Sequence, residues 1–296
     1  MTPRKAGVIG LGLIGGSLAK ALKTKCGFQF IAAMNRSPAP LAQALAEGVI
    51  DARETAPEAL ALEEEWRAKL GSLFADCEII FICAPVDQIA GYLARLNGLV
   101  KEGCIITDVG STKESLSLAL QPYEKMTFIG GHPMAGSEKT GYSHARDDLF
   151  ENAYYILTPP PWVKNEAMRF LVQIIERLGA VPLIMDPAAH DEAMAAISHG
   201  PHVIAAALVN LIRQLDGEPQ TMRALAAGGF KDLTRVASSS PEIWSAICES
   251  NQTRLLKFLN AFKAEIESFE QILRTGGSEL NVFFQSAKKY RDSFHV

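Results

Sequence analysis

Gly10-Leu11-Gly12-Leu13-Ile14-Gly15 is the stretch on which the fold turns. Its spacing is G-x-G-x-x-G. The apolar run Ala6-Gly7-Val8-Ile9 leads into it, and residues 17–23 after it read as a helix. A strand before and a helix after are the setting in which this pattern carries weight. Gly10 permits the tight turn, Gly12 lets the backbone approach a pyrophosphate, and Gly15 lets helix and strand pack closely. The free N–H groups and dipole of the helix start favour anionic phosphates. Leu13 and Ile14 belong to the same cofactor-binding turn.

Outward from this loop, the first half alternates apolar strand-like runs with helical stretches. The runs are residues 6–9, 28–34, 78–83, 104–108, 127–129 and 154–157. Most lack polar alternation, as expected of strands covered on both faces in a parallel sheet. Helix-like segments at 40–47 and 88–96 lie between them, which implies an α/β domain with right-handed crossovers. The acidic stretch 54–69 reads as a solvated helical insertion. A Rossmann-type dinucleotide-binding domain needs a ribose contact about twenty residues beyond the loop. Enzymes that prefer NAD usually carry Asp or Glu there. This sequence has Asn35-Arg36-Ser37. No carboxylate repels a 2′-phosphate and Arg36 can pair with one, so the expected cofactor is NAD or NADP, with a lean to NADP or dual use. Ala84-Pro85-Val86 follows the third apolar run, where a loop would line the adenosine side of the site.

Thr158-Pro159-Pro160-Pro161 punctuates the chain, because three prolines can neither continue a helix nor join a central strand. The expected boundary is there, giving domains 1–158 and 159–296. Beyond it, 167–178 reads as a helix and 180–185 as one short strand, and nearly everything after Pro187 is helical. Leu255, Phe258, Phe262, Ile266, Phe269 and Leu273 form one stripe at helical spacing, closed by Gly276-Gly277. The stripe suits either packing within the chain or a subunit interface.

Composition narrows the function classes. Hydrophobic residues make up 48% and charged residues 21% of 296, which excludes wholesale disorder. A net charge of −4 gives no basic face for nucleic acid. No segment reaches about 18 consecutive apolar residues, so no membrane partner is expected, and the N-terminal apolar run is too short for a signal peptide. The five cysteines lack paired spacing, which argues against a disulfide framework or zinc module and for a cytoplasmic location.

Four clusters carry the chemistry: Asp108-Val109-Gly110-Ser111-Thr112-Lys113, Gly130-Gly131-His132-Pro133-Met134-Ala135-Gly136-Ser137-Glu138, Ile197-Ser198-His199-Gly200-Pro201-His202 and Gly228-Gly229-Phe230-Lys231-Asp232-Leu233-Thr234-Arg235. The first two follow strand ends, where ligands bind in open α/β sheets. With the glycine loop, and in this order, these runs make the sequence resemble the prephenate/arogenate dehydrogenase family over nearly the whole chain. Two departures stand out: Gly200 where leucine is common, and Asn35 where many members have Asp.

The resemblance implies a Rossmann-type domain followed by a mostly α-helical dimerisation domain, so the chain is expected to form a homodimer through its C-terminal helices. It implies a substrate, prephenate or arogenate, whose ring hydroxyl is oxidised with hydride transfer to NAD(P), loss of CO2 and aromatisation. By the same resemblance His132 is the base that takes the hydroxyl proton, a role suited to imidazole near neutral pH. Ser111 aligns that hydroxyl. Arg235 holds the ring carboxylate, His202 contacts the side chain, and Glu138 gates the site or holds His202 or Arg235. Ser198 lies four residues before His202, on the same helix side. His202 beside the side chain favours prephenate, with arogenate the alternative. A metal reading of His190-Asp191, His199 and His202 lacks the H-E-x-x-H pattern and any cysteine ligand, and none is expected. The layout also suits β-hydroxyacid dehydrogenases, which generally use a lysine, and a non-catalytic dinucleotide-binding regulator. Neither explains His132, Ser111 and Arg235 together. At this length the expected chain is the dehydrogenase core without an appended regulatory or chorismate mutase domain.

Overall fold

The computed structural model describes residues 3–58, 62–119, 126–137 and 139–294. Its strands are β1 (Lys5–Ile9), β2 (Phe30–Asn35), β3 (Ala52–Thr55), β4 (Ile79–Ile82), β5 (Ile105–Asp108), β6 (Thr127–Pro133), β7 (Tyr154–Thr158) and β8 (Val181–Ile184). Among the described residues they form one sheet in the order β3-β2-β1-β4-β5-β6-β7-β8. The first six strands of that order run parallel, the 3-2-1-4-5-6 arrangement of dinucleotide-binding sheets. The central strands are apolar because both faces are covered. In β4, Ile79 and Phe81 join one core cluster while Ile80 and Ile82 join the other, the two-residue alternation of a pleated strand.

Helices α1 (Leu13–Thr24), α2 (Pro38–Ala46), α3 (Glu63–Phe74), α4 (Val86–Leu96) and α5 (Glu114–Ala119) alternate with these strands, and α6 (Asn165–Arg177) joins β7 to β8. Helix α4 shows why such segments fold: Ile89, Leu93 and Leu96 are buried at helical spacing, with Asp87 in the first turn and Arg95 in the last.

Two expectations are revised. The acidic insertion begins as an edge strand, since 52–55 pairs with β2 before the chain turns into α3. The sheet is not wholly parallel: β7 pairs antiparallel with β6, and β8 then pairs parallel with β7. The sheet also carries on past Thr158, because β8 lies beyond the proline run. Pro159-Pro160-Pro161 lies between β7 and α6.

The helical part opens with α7 (Pro187–Met194), started by Asp186, whose carboxylate accepts from the N–H groups of Ala188 and Ala189 at 2.9 and 3.1 Å. A π-helical turn at Ala195–His199 joins it to α8 (Gly200–Leu215). At about 100° per residue an uninterrupted helix would place His202 about 120° around from His190. The wider π turn takes back roughly one residue's rotation. His190, Asp191, Met194, Ala195, His199, His202 and Ala205 consequently share one buried face. By length and composition alone Pro187–Leu215 could cross a membrane, yet this face carries histidines and an aspartate turned inward. Short α9 (Thr221–Leu225) and α10 (Gly228–Thr234) follow, then α11 (Pro241–Ser250).

Residues 1–251 form one compact unit and 252–296 another. In the second, α12 (Gln252–Thr275) runs as expected to Gly276 and pairs with α13 (Ser278–Asp292). Phe269 meets the rings of Phe283 and Phe284 at 5.0 and 6.0 Å. Ile266 and Leu273 of the stripe and Val282, Phe284 and Tyr290 of α13 stay exposed.

Candidate active site

The carboxyl ends of the parallel strands share one edge of the sheet, and the expected site segments follow them. Past β1 lies the glycine loop. Gly10 has φ +95°, and a Cβ there would collide with the Cys83 carbonyl, while one at Gly15 would collide with the Gly10 carbonyl. Both are glycines because other backbone occupies the space. Gly12 differs, since it is exposed and a Cβ there would meet nothing within 4 Å. That open space over the N-cap of α1 is the cradle a pyrophosphate needs, so the loop fits a dinucleotide. Leu13 and Ile14 are half-buried in the first turn of α1.

At the end of β2, Asn35 is a clasp: its Oδ1 accepts from the Leu11 N–H at 2.9 Å and its Nδ2 donates to the Ser37 carbonyl at 2.9 Å. Arg36 and Ser37 are exposed beside it, and Ser37 is the N-cap of α2. Ala84-Pro85-Val86 follows β4, with Pro85 as the N-cap of α4.

Past β5 and on β6 the chemistry gathers. Asp108 is fully buried and ion-pairs with Lys113, itself buried. The Asp108 carboxylate also accepts from the N–H of Gly110 at 2.8 Å and of Gly131 at 3.0 Å. Lys113 runs against the second glycine pair, where a Cβ on Gly130 would lie 3.2 Å from its Cδ. These bonds tie the Ser111 loop to the strand that carries His132, and Ser111 itself is half-buried in that loop. His132 pairs with Ile156 across the β6–β7 ladder.

The ring of His132 stands edge-on to that of His190, with Nδ1 and Nε2 2.8 Å apart. His190 Nδ1 lies 2.7 Å from Asp191 Oδ1. Asp191 in turn accepts from the backbone N–H of Lys113 and Glu114 at 2.8 and 2.9 Å. Burial opposes the Asp191 charge, but the His190 bond and the two backbone N–H groups outweigh it and hold the carboxyl below its usual range. Burial, then Lys113, His190 and His199, pushes the His132 pKa well below 6.5. His132 nevertheless keeps part of its surface open.

His202 stacks on Trp244, the ring centroids 3.4 Å apart and the planes at 16°, and burial lowers its pKa. His199 meets the same indole edge-on at 6.1 Å. Burial lowers the His199 pKa to about 4, against the pull of Asp191. The Asn251 amide lies 3.2 Å from His199 Nδ1 and donates to the Asp191 carbonyl at 2.7 Å, joining this group to the His132 group. Ser198 is half-buried in the π turn. Arg235 begins the short helical turn after α10, which packs on α8, the helix of His202. The Glu138 expectation lies outside the described residues.

Lys113, His190, Asp191, Trp244 and Asn251 were not singled out as site residues. Only the juxtaposition of His190 and Asp191 and the position of Lys113 in the D-V-G-S-x-K run offered a signal. The carboxylate of Asp191 and the ring of His190 are engaged by protein groups.

A 3-2-1-4-5-6 sheet, a glycine loop that fits a pyrophosphate and a neutral histidine on the same carboxyl edge define a dinucleotide-dependent oxidoreductase. The family model "Prephenate dehydrogenase, nucleotide-binding domain" matches residues 18–184, and "Prephenate dehydrogenase, dimerization domain" matches 186–286. The prephenate dehydrogenase of Bacillus subtilis is 36% identical over 96% of this chain and 74% of its own. Among solved structures, the prephenate dehydrogenase of A. aeolicus with hydroxyphenyl propionate and NAD+ covers 100% of this chain and 99% of its own, with a TM-score of 0.89 and 27% identity. The arogenate dehydrogenase of Synechocystis has a TM-score of 0.79 at 31% identity, covering 98% and 100%. The chain belongs to the prephenate dehydrogenase family. Residues 186–286 are that family's dimerization domain, and apolar residues of α8, α12 and α13 are exposed.

Proposed function

We propose that this protein converts prephenate to 4-hydroxyphenylpyruvate by oxidative decarboxylation. The observation that carries the reading is His132: a histidine kept neutral, partly open, on the sheet edge that also bears the glycine loop. The relatives named prephenate dehydrogenase, 36% and 32% identical over nearly the whole chain, support the substrate. When bound, the dinucleotide supplies the hydride acceptor for the hydroxyl-bearing ring carbon. His132 takes the hydroxyl proton as the ketone forms. Ser111, on the loop tied to β6, aligns the hydroxyl. Arg235 presents a two-pronged donor to the ring carboxylate, and His202, stacked on Trp244, meets the pyruvyl side chain with Ser198 one turn before it. Carboxylate loss then aromatises the ring and makes the step irreversible. Glu138 is proposed to gate the site.

Asn35 supports NADP or dual use, because its amide is engaged by the Leu11 N–H and the Ser37 carbonyl and offers no carboxylate against a 2′-phosphate. The division between the dinucleotide and dimerisation halves is proposed near residue 185, where the sheet ends. Five unpaired cysteines fit a cytoplasmic enzyme.

One assay tests the reading: purified protein with prephenate or arogenate and NAD+ or NADP+, followed at the reduced nicotinamide band. Turnover of prephenate is expected. Turnover of arogenate alone would transfer the proposal to that substrate, and a strong NAD preference would overturn the NADP lean.

A further inference from the structure

We infer that His190, backed by Asp191, is the positioning residue that fixes the tautomer of His132, placing the proton on Nδ1 and leaving Nε2 bare to act as the base. The inference rests on the proposed role of His132.

Asp191 is almost fully buried and holds four fixed relations: Oδ1 to His190 Nδ1 at 2.7 Å and to the Lys113 N–H at 2.8 Å, Oδ2 to the Glu114 N–H at 2.9 Å, and its own carbonyl to Asn251 at 2.7 Å. A carboxylate clamped by two backbone donors can neither rotate nor donate. His190 Nδ1 must therefore carry a proton, since a bare nitrogen 2.7 Å from an ionised oxygen would set lone pair against lone pair. With this single proton on Nδ1, His190 presents a lone pair at Nε2. Only an N–H can face that lone pair at 2.8 Å, and the nitrogen that faces it is His132 Nδ1. One proton is thus assigned at each step, and Nε2 of His132 is the nitrogen left for the substrate hydroxyl.

A packing role accounts for none of this. Burying a carboxylate and an imidazole costs free energy unless each polar atom is matched, and an apolar pair would fill the same volume. The rings meet edge-on, at 73°, which aims nitrogen at nitrogen instead of stacking the faces. The logic is that of an acid orienting a histidine base, with one further imidazole between them. Lys113, on the loop side, and His199, in the π turn, are the other charged or titratable groups facing His132. Lys113 is committed to Asp108, and His199 faces Asn251 with Nδ1 while its Nε2 has no hydrogen-bond partner among the described residues, so neither bonds His132 Nδ1.

The test uses the full chain with 15N-labelled histidine, six residues in all, in the parent, His190→Gln and His190→Leu. The parent spectrum is expected to show His132 protonated at Nδ1, and a proton on Nε2 instead would overturn the inference. His190→Leu is expected to lower kcat for prephenate about 10–100-fold, the scale known for removing a group that orients a metal-bound histidine, with KM unchanged. His190→Gln, whose amide oxygen can replace Nε2 as the acceptor, is expected to recover part of that loss. Equal kcat in all three, or Gln as impaired as Leu with KM rising in parallel, would overturn it. If His190→Leu fails to fold, the parent tautomer and the Gln variant decide. A parent that turns over neither prephenate nor arogenate defeats the proposed function, while the spectrum still decides the tautomer.

Discussion

The glycine loop and the His132 cluster sit on the same edge of one sheet and are built on opposite terms. The loop works through missing side chains: Gly10 and Gly15 are empty so that backbone can close on backbone, and Gly12 is empty so that a ligand can come near. All of it lies within six consecutive residues. The cluster works through side chains, drawn from β5, β6, α7 and α11, and its central bond joins residues 58 apart. Phosphate recognition needs only N–H groups that every residue except proline carries, so a local turn suffices. Moving a proton needs particular atoms at hydrogen-bond distance, which a chain attains only by folding distant segments together.

The contrast can be broken experimentally. The largest effect is expected for His132→Asn, with kcat falling roughly 10²–10⁴-fold while dinucleotide affinity, titrated by fluorescence, stays at the parent value. An equal loss of cofactor binding would show that the two regions are not separable. Next comes Lys113→Met, which leaves the buried Asp108 without its cation and should cost about 3–5 kcal/mol of stability in denaturant unfolding. A further Asp108→Asn change should return part of it, and a parent-like Lys113→Met would mean the pair contributes no net stability. Arg235→Gln should raise KM for prephenate about tenfold, equivalent to about 1.4 kcal/mol, with a smaller change in kcat. An unchanged KM would remove Arg235 from the substrate carboxylate.

The smallest effect is a near absence. The folded-state pKa of His132 is depressed, so the base stays neutral as pH falls through about 6.5. The acid limb of kcat/KM should lie well below that value. The sign for stability runs the other way: unfolded chains protonate this histidine first, so the folded state loses ground as pH drops below about 6.5. An acid limb at the ordinary histidine value would show that burial and Lys113 leave His132 unshifted.

The two regions also differ in how much of them could be read from sequence. The glycine loop, the strands β1, β2, β4, β5 and β6 and the position of His132 were legible because each is a local pattern. Edge strand β3 was not: Ala52-Arg53-Glu54-Thr55 alternates half-buried and exposed positions, and its charged residues look like the start of the helix that follows. The reversal at β7 left no trace, because a strand buried on both faces reads the same in either direction. Nor could spacing reveal that His190 meets His132. In an undistorted helix His190 and His202 face different ways, and the π turn that realigns them has no signature in Ala195-Ala196-Ile197-Ser198-His199.

Asp191 gives the site one shared datum. Its carboxylate fixes the backbone two residues after Ser111 and, through His190, the ring of His132. In a mechanical assembly, two parts gauged from one reference surface keep their mutual spacing even when that surface shifts. The Lys113 backbone and the His132 ring are both gauged from Asp191, so one carboxylate enters the spacing of the serine loop and the base.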